Sequence, residues 1–267
     1  MKRRASWKRA LVTGASAGIG EAFARGLAAQ GCDLVLVARR HGALERLAIE
    51  LRGAFGIEAE SLAADLTDPE ALGLVEARLE EHERPIDLLV NNAGGASQHA
   101  PFLELDRDTL AKDTFLNSLA LMRLTHAAAG AMTKRGGGNV INVSAGVGFY
   151  PLPGAAAYGA SKAFVNSLSE ALAYELRASG VQITAVCPGF TRTGAQQRIG
   201  LNVSRVPRAL WMEPEQVAAA ALRAAQRRRT MSSLSTIGML NAFFGRHLPR
   251  RLLLPPLARG QLRLVSQ

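Results

Sequence analysis

The strongest constraint on the fold is a repeated alternation of short β-like runs and longer helical patterns. Runs of mostly apolar residues predict six strands, at residues 10–13, 33–38, 57–63, 86–90, 139–143 and 181–186. Such runs are typical of strands buried on both faces, and parallel strands need long crossover connections. The alternation therefore predicts an α/β fold, with a doubly wound parallel sheet flanked by helices on both faces.

The helical patterns place apolar residues three or four positions apart. They predict a first helix from about Gly18, a second through Leu44, Leu47 and Leu51, and further helices from about 69, at 106–134, at 156–179 and at 214–226. Asp68 precedes a proline and is the predicted N-cap of the third helix. Since no repeat or low-complexity linker interrupts the chain, residues 1–267 are predicted to form a single domain.

Composition excludes several classes of protein. The chain has 267 residues, of which 48% are hydrophobic and 20% are charged, so it is too apolar for a disordered chain. Two cysteines, Cys32 and Cys187, are too few for a disulfide scaffold or a cysteine zinc module, and the five histidines share no metal-ligand spacing. We expect no metal, no membrane span, no cleaved signal peptide and a cytoplasmic location.

The net charge of +10 is concentrated near the C-terminus. Residues 1–215 carry 23 Lys and Arg against 22 acids, whereas residues 216–267 carry nine Arg and no acid. Large apolar residues are interleaved with these arginines. Such a segment suits peripheral contact with an anionic membrane, a subunit contact or simple packing on the body of the protein. Nucleic acid is not an expected partner, because no reading motif accompanies the charge.

A glycine-rich turn follows the first strand and opens the first helix. Its glycines, Gly14, Gly18 and Gly20, are spaced to allow a tight turn, close approach of a pyrophosphate and close helix packing. Free backbone amides and the positive end of the helix dipole would face that anion. The context of strand, turn and helix therefore predicts a dinucleotide site.

The end of the second strand indicates which dinucleotide binds. Arg39 and Arg40 follow this strand, and no acid occurs at residues 37–41. An acid there usually accepts a hydrogen bond from the ribose 2′-OH, while an arginine accommodates a 2′-phosphate. The sequence therefore favours NADP(H) over NAD(H). The alternative is a solvated pair of charges at a strand end.

Tyr158 and Lys162 lie four residues apart on a predicted helix and therefore on one face. A free tyrosine has a pKa of about 10, and a neighbouring cation lowers the pKa by favouring the phenolate. We expect Lys162 to lower the pKa of Tyr158 in this way, so that the phenol can exchange a proton with substrate. Ser144, just after the fifth strand, is placed to hydrogen-bond the same substrate oxygen.

These motifs together resemble the short-chain dehydrogenase/reductase family, of the NADP(H)-preferring type. The resemblance covers about residues 8–195, with a weaker match to about 226, and it also rests on Ala64-Asp65-Leu66, Asn91-Asn92-Ala93-Gly94 and Pro188-Gly189. It implies a Rossmann-like fold. The catalytic residues would be Asn117, Ser144, Tyr158 and Lys162.

The resemblance also implies a set of cofactor contacts. Ser16, Gly18, Ile19 and Gly20 would border the pyrophosphate, and Tyr158 and Lys162 would also contact the cofactor. The other implied positions are Asp65 and Leu66 beside the adenine, Asn92 and Gly94 along the cleft, and Pro188, Gly189, Thr191 and Thr193 near the nicotinamide. Thr191 stands where the family often has an aliphatic residue, so its contact is expected through the main chain.

The predicted function is hydride transfer between NADP(H) and a carbonyl or secondary alcohol, as a ketone or 3-oxoacyl reductase with Tyr158 as general acid and base. The expected substrate is a small molecule, and the arginines and apolar residues mixed at 190–212 suit an amphipathic or anionic one. A lipid-like substrate is what the resemblance of the C-terminal tail to extensions in other family members implies. The alternative is a non-catalytic nucleotide-binding or regulatory protein on the same fold. We also expect a variable substrate lid at 190–212, a basic C-terminal extension at 227–267 and a homo-oligomer, a dimer or tetramer.

Overall fold

The structure is a computed structural model that describes residues 7–98, 100–194, 207–234, 243–245, 247–252 and 254–257. Its main sheet contains the strands β1 (Arg9–Thr13), β2 (Asp33–Ala38), β3 (Ala59–Ala63), β4 (Leu88–Asn91), β5 (Gly138–Val143), β6 (Val181–Cys187) and β9 (Met231–Ser233). These seven strands are parallel and lie in the order β3-β2-β1-β4-β5-β6-β9. A separate parallel pair joins β7 (Phe190–Thr191) to β8 (Trp211–Met212).

Helices cover both faces of the sheet, which confirms the predicted doubly wound, Rossmann-like α/β fold. Short 3₁₀ turns occur at Phe102–Glu104, Gly146–Phe149, Arg177–Ser179 and Arg208–Leu210. The helices are α1 (Gly18–Ala28), α2 (His41–Phe55), α3 (Pro69–Glu80), α4 (Arg107–Thr114), α5 (Leu121–Lys134), α6 (Ala156–Glu175) and α7 (Pro214–Gln226).

Alternating strand residues pack into two separate apolar cores. In β1, Val12 packs with Phe23 and Leu222 on the face covered by α1, α2 and α7, whereas Leu11 packs with Leu79 and Leu124 on the opposite face. All six side chains are at most 3% exposed. Burial of both faces explains why these strands read as continuous apolar runs rather than alternating ones.

Side-chain caps fix the first residues of α3 and α7. The Asp68 carboxylate accepts a hydrogen bond from the Glu70 amide, with Pro69 at the first helical position, as predicted. Glu213 and Gln216 form a reciprocal capping box at the start of α7. These caps satisfy amides that the helices leave without an internal partner.

The predicted helix at 106–134 contains an interruption that the sequence did not reveal. Residues Phe115–Ala120 form a π-helical segment between α4 and α5. A π-helical turn holds an extra residue and changes the direction of the side chains that follow, and such turns are frequent at functional sites. Asn117 lies within this segment.

The C-terminal extension predicted at 227–267 begins later than predicted, because the main sheet continues beyond residue 227. Residues 231–233 form β9, which pairs with β6 at the edge of the main sheet. Arg223, Arg227, Arg228 and Arg229 precede β9 and are all exposed. Since β9 is parallel to β6, these four arginines lie at the amino edge of the sheet, on the opposite side from residues that follow the strand.

Two further expectations concern segments that the structure describes only in part. The predicted lid at 190–212 begins in β7 and ends in β8, while its residues 195–206 lie outside the described ranges. The single-domain prediction for 1–267 stays a prediction. Within the described ranges, no helix has the length and apolar character that crossing a bilayer requires.

Candidate active site

The cleft lies at the carboxyl edge of the sheet, where the strand order reverses direction. The chain leaves β1 for β2 on one side, and β4 later joins the other side of β1. In open α/β sheets this topological switch point leaves a crevice in which ligands bind. The sequence-predicted turn at 13–20 (the phosphate-binding turn) borders this crevice.

Thr13 joins the phosphate-binding turn to the chain after β4. Its hydroxyl oxygen accepts hydrogen bonds from the amides of Asn92 at 2.9 Å and Ala93 at 3.0 Å, and it donates to the Val90 carbonyl at 3.3 Å. The Asn92 side-chain amide donates to the Thr13 carbonyl at 2.9 Å. These hydrogen bonds join the ends of β1 and β4 and hold Asn92 in place beside the cleft.

Gly20 shows how closely the chain packs beneath the phosphate-binding turn. A Cβ at this position would lie 2.2 Å from the Gly14 carbonyl oxygen and 2.6 Å from the Asn92 amide nitrogen. Only glycine fits there without moving backbone. The start of α1, with Gly18 and Ile19, is thus held against the β4 loop with its free amides at the cleft.

On the adenine side, Arg40 reaches back to the phosphate-binding turn. Its guanidinium donates to the Ser16 carbonyl at 3.0 Å and to the Ser16 hydroxyl at 3.4 Å. Arg39 is exposed beside it. Two cations therefore stand at the end of β2, close to the turn expected to hold a pyrophosphate.

Asp65 is held as a carboxylate on the same side. Burial opposes its ionisation, but hydrogen bonds from the Thr67 amide and hydroxyl, together with the charges of Arg39 and Lys112, keep the pKa of Asp65 below its ordinary value. Leu66 beside it is buried. The pair offers a fixed negative charge and an apolar surface at the edge of the cleft.

The loop after β6 closes the other side of the cleft. The Pro188 carbonyl accepts from the Gly146 amide at 3.2 Å, and the Thr191 hydroxyl donates to the Gly189 carbonyl at 3.2 Å. The Thr193 methyl group lies over Gly18, 3.1 Å from where a Cβ would stand. The loop implied to contact nicotinamide and the phosphate-binding turn therefore meet across the cleft.

Asn117 is held by the π-helical segment against the loop after β4. Its side-chain oxygen accepts from the Gly95 amide at 2.9 Å, and its side-chain nitrogen donates to the carbonyls of Gly95 at 2.6 Å and Asp113 at 2.7 Å. A Cβ at Gly94 would lie 2.5 Å from this oxygen and 3.7 Å from the Lys162 ammonium. Asn117, Gly94 and Lys162 are thus neighbours.

Tyr158 and Lys162 lie together on α6, with the Lys162 ammonium 5.6 Å from the centre of the Tyr158 ring. Lys162 is buried, and its ammonium donates to the Val143 carbonyl at 3.0 Å. The Ser144 hydroxyl donates to the Lys162 carbonyl at 3.1 Å. The structure therefore brings the four predicted catalytic residues, Asn117 included, to one side of the cleft.

The expectation that Lys162 lowers the pKa of Tyr158 is wrong in this structure. Burial raises the pKa of the Tyr158 phenol to about 12, although part of the residue remains exposed to the cleft, and burial lowers the pKa of Lys162 to about 8. The reason is geometric, because the ammonium lies beside the ring and donates to Val143. At neutral pH the phenol keeps its proton and Lys162 remains largely cationic.

A buried polar network beneath the site was missed in the sequence. The Asn142 oxygen accepts from Asn91 at 2.9 Å and from Thr125 at 3.5 Å, and the Asn142 nitrogen donates to the Ser169 hydroxyl at 3.0 Å. Asn91 also donates to Thr125 at 3.0 Å. The four side chains are at most 2% exposed. They join β4, β5, α5 and α6, the elements that carry or adjoin Ser144, Tyr158 and Lys162.

Two features of the sequence point to this network. Asn142 interrupts an apolar strand, and Ser169 lies seven residues after Lys162, on the same face of α6. Polar side chains in such positions need hydrogen-bond partners when buried. The described residues contain no group of three His, Cys, Asp or Glu side chains that could hold a metal ion.

Comparison with known proteins gives consistent matches. A family model described as short chain dehydrogenase matches residues 8–203. A very-long-chain 3-oxoacyl-CoA reductase from Bos taurus is 30% identical over 209 residues, which are 77% of this chain and 64% of the bovine protein. The chain thus spans slightly less than two thirds of that relative.

Solved structures extend the similarity to nearly the whole chain. A short-chain dehydrogenase from Sphingobium yanoikuyae in complex with NADPH is 38% identical, with a TM-score of 0.82 and coverage of 97% of this chain and 96% of that one. A bulky-bulky ketone specific alcohol dehydrogenase from Comamonas testosteroni is 32% identical, with a TM-score of 0.77 and coverage of 97% and 95%.

The network predicts a loss of stability in the Ser169→Ala variant. Removing the hydroxyl leaves the buried Asn142 amide without its acceptor, so we expect the free energy of unfolding to fall by about 1–3 kcal/mol. The matched control is Ser161→Ala on the same helix. The Ser161 hydroxyl donates to the Ala157 carbonyl, which keeps its helical hydrogen bond when the hydroxyl is removed. Urea unfolding measures both, and equal losses would contradict the role of Ser169.

Proposed function

Because the chain belongs to the short-chain dehydrogenase family, we propose that it is an NADP(H)-dependent oxidoreductase that reduces a ketone or 3-oxoacyl carbonyl to a secondary alcohol. The observation that carries the proposal is the convergence of Asn117, Ser144, Tyr158 and Lys162 on one side of the cleft. The names of two relatives support the substrate class, since the bovine protein is a 3-oxoacyl-CoA reductase and the Comamonas enzyme is ketone specific.

The cleft fits a dinucleotide that carries a 2′-phosphate. The tight contact at Gly20 keeps the start of α1 clear of side chains, so its amides can hold a pyrophosphate. Arg40, fixed on Ser16, and its neighbour Arg39 supply positive charge where a ribose 2′-phosphate would lie. The Sphingobium relative is described in complex with NADPH. When bound, the cofactor would supply the hydride.

The protonation state of Tyr158 suits donation of a proton to a carbonyl oxygen. A phenol with a pKa of about 12 holds its proton at neutral pH, so Tyr158 can donate it to the substrate oxygen as negative charge develops there. The Lys162 ammonium, 5.6 Å from the centre of the Tyr158 ring, places a positive charge on the same side of the cleft. The Ser144 hydroxyl turns from the Lys162 carbonyl to hydrogen-bond the same oxygen. Asn117 holds the Gly95 loop next to the Lys162 ammonium.

The rest of the site suggests a bulky apolar substrate and an oligomeric enzyme. Phe149, Tyr150 and Leu152 follow Ser144 and are at least partly buried, which suits an apolar pocket. Met122 on α5 and Phe164 on α6 are 37% and 36% exposed, and exposed apolar side chains of this kind suit contact with a second subunit in a homodimer or tetramer. A cytoplasmic location stays a prediction.

The Tyr158→Phe variant tests the catalytic proposal. We expect the wild-type protein to oxidise NADPH against a panel of ketones, aldehydes and 3-oxoacyl thioesters, and the variant to lose at least about 100-fold in kcat because it lacks the proton donor. Its Kd for NADPH, measured by fluorescence titration, should change less than about threefold. The control is Tyr174→Phe, an exposed tyrosine on the same helix. Near-normal turnover by Tyr158→Phe would refute the assignment, and absence of turnover in the wild type across the panel would favour the non-catalytic alternative.

The Arg40→Gln variant tests the cofactor preference. Loss of a charge-assisted contact costs about 1.5–3 kcal/mol, so the Kd for NADPH should rise about 10- to 100-fold while the Kd for NADH stays within about twofold. Arg84→Gln removes the same charge from an exposed arginine elsewhere and controls for net charge. A parallel shift of both affinities in Arg40→Gln would show that this arginine does not read the 2′-phosphate.

A further inference from the structure

The C-terminal segment (described residues 243–245, 247–252 and 254–257) packs beside the cleft rather than at the amino edge of the sheet. Gly245 is buried, and a Cβ there would lie 2.8 Å from the Phe149 carbonyl oxygen. Phe149 ends the 3₁₀ turn that follows Ser144. That turn packs on α6, where a Cβ at Gly148 would lie 2.7 Å from the Lys162 carbonyl. The segment is therefore anchored one turn away from the catalytic residues.

The outer face of this segment is strongly apolar. Phe243, Phe244, Leu248 and Leu252 are 58%, 44%, 37% and 60% exposed. The rings of Phe243 and Phe244 contact each other with centres 5.7 Å apart, and His247 contacts Phe243 at 4.7 Å. Four large apolar side chains within ten residues are thus at least one third exposed. An exposed cluster of this kind marks an interaction surface.

The charge on the same segment has one sign. Arg250 and Arg251 are exposed between the apolar residues, and no acidic residue follows Glu215 in the sequence. Apolar side chains mixed with arginines on an exposed segment are typical of peptides that lie in the interface of an anionic bilayer. Negatively charged phospholipids attract such arginines.

Another exposed apolar face of the protein, around Met122 on α5, has a different charge pattern. Near Met122 on α5, Arg123 forms an ion pair with Glu76 at 2.6 Å, so this face carries both charges. A face with paired charges suits another protein subunit, whereas a face with arginines alone suits an anionic partner. The charge pattern therefore separates a subunit contact at α5 and α6 from a different partner at the C-terminal segment.

We propose that the C-terminal segment docks this protein on an anionic lipid surface. Phe243, Phe244, Leu248 and Leu252 enter the boundary between headgroups and acyl chains, and Arg250 and Arg251 contact lipid phosphates. Because Gly245 is packed on the turn after Ser144, docking brings the substrate side of the cleft close to the membrane. This proposal concerns binding alone and holds independently of the catalytic activity.

Vesicle co-sedimentation of the full-length protein tests the proposal. Vesicles of phosphatidylcholine and phosphatidylglycerol in a 3:1 ratio should bind the wild-type protein at low salt, and pure phosphatidylcholine should bind it at least about tenfold more weakly. The Arg250→Gln/Arg251→Gln variant should lose about 30-fold in affinity, since each arginine near an anionic surface contributes about 1 kcal/mol. The Phe243→Ser/Phe244→Ser variant should lose at least about tenfold.

Two matched variants distinguish docking by this segment from nonspecific attraction of the whole protein to the vesicles. Arg223→Gln/Arg227→Gln removes the same charge at the opposite edge of the sheet, and Phe102→Ser/Leu103→Ser removes exposed apolar side chains elsewhere. Both should bind vesicles within about twofold of the wild-type protein. Thermal unfolding and NADPH titration check that each variant is folded.

Three results would overturn the proposal. The first is no vesicle binding by the wild-type protein at low salt. The second is an equal loss in the opposite-edge arginine variant, because this would show attraction by net charge alone. The third is a change in sedimentation coefficient of the Phe243→Ser/Phe244→Ser variant with unchanged vesicle binding, because this would assign the segment to contact with a second copy of the chain.

Discussion

Hydrogen bonds from buried polar side chains hold the strand ends together at the switch point, and the cleft is built on them. Thr13 joins the phosphate-binding turn to the loop after β4, and Asn142 joins β5 to both α5 and α6. Between them these contacts fix the relative positions of the phosphate-binding turn, Ser144 and the helix that carries Tyr158. Because such groups are costly to bury without partners, the network favours one arrangement of these elements.

The sequence was sufficient to predict the elements of the fold in which burial produces a periodic pattern of apolar residues. The strands through β6 and the helices α1 to α3, α6 and α7 lie within a few residues of their predicted bounds, since apolar runs and caps such as Asp68 act locally. Other elements were not predictable in this way. β9 has only three residues and pairs at the sheet edge after three arginines. The π-helical turn at Phe115–Ala120 carries no glycine or proline, and Asn117 within it bonds to Gly95, a tertiary contact.

The same limit applies to the candidate site, where short motifs were predictable from the sequence and tertiary contacts were not. Motif spacing located Tyr158, Lys162, Ser144 and the glycine turn, because their chemistry depends on short separations along the chain. It did not predict that Asn142 would meet Ser169 across 27 residues, or that Lys162 would donate to Val143 rather than to the phenol. The net charge was likewise misleading when treated as a single property of the chain. The arginines around α7 and those around residue 250 lie at opposite edges of the sheet.

The proposed reaction is the transfer of a hydride from NADPH to a carbonyl carbon in this cleft. Reduction with NADPH deuterated at one face of nicotinamide C4 tests it most directly, with mass spectrometry of the alcohol product. We expect the deuterium from one of the two faces to appear on the carbinol carbon and nowhere else in the product. Alcohol formed without deuterium from either labelled cofactor would contradict it.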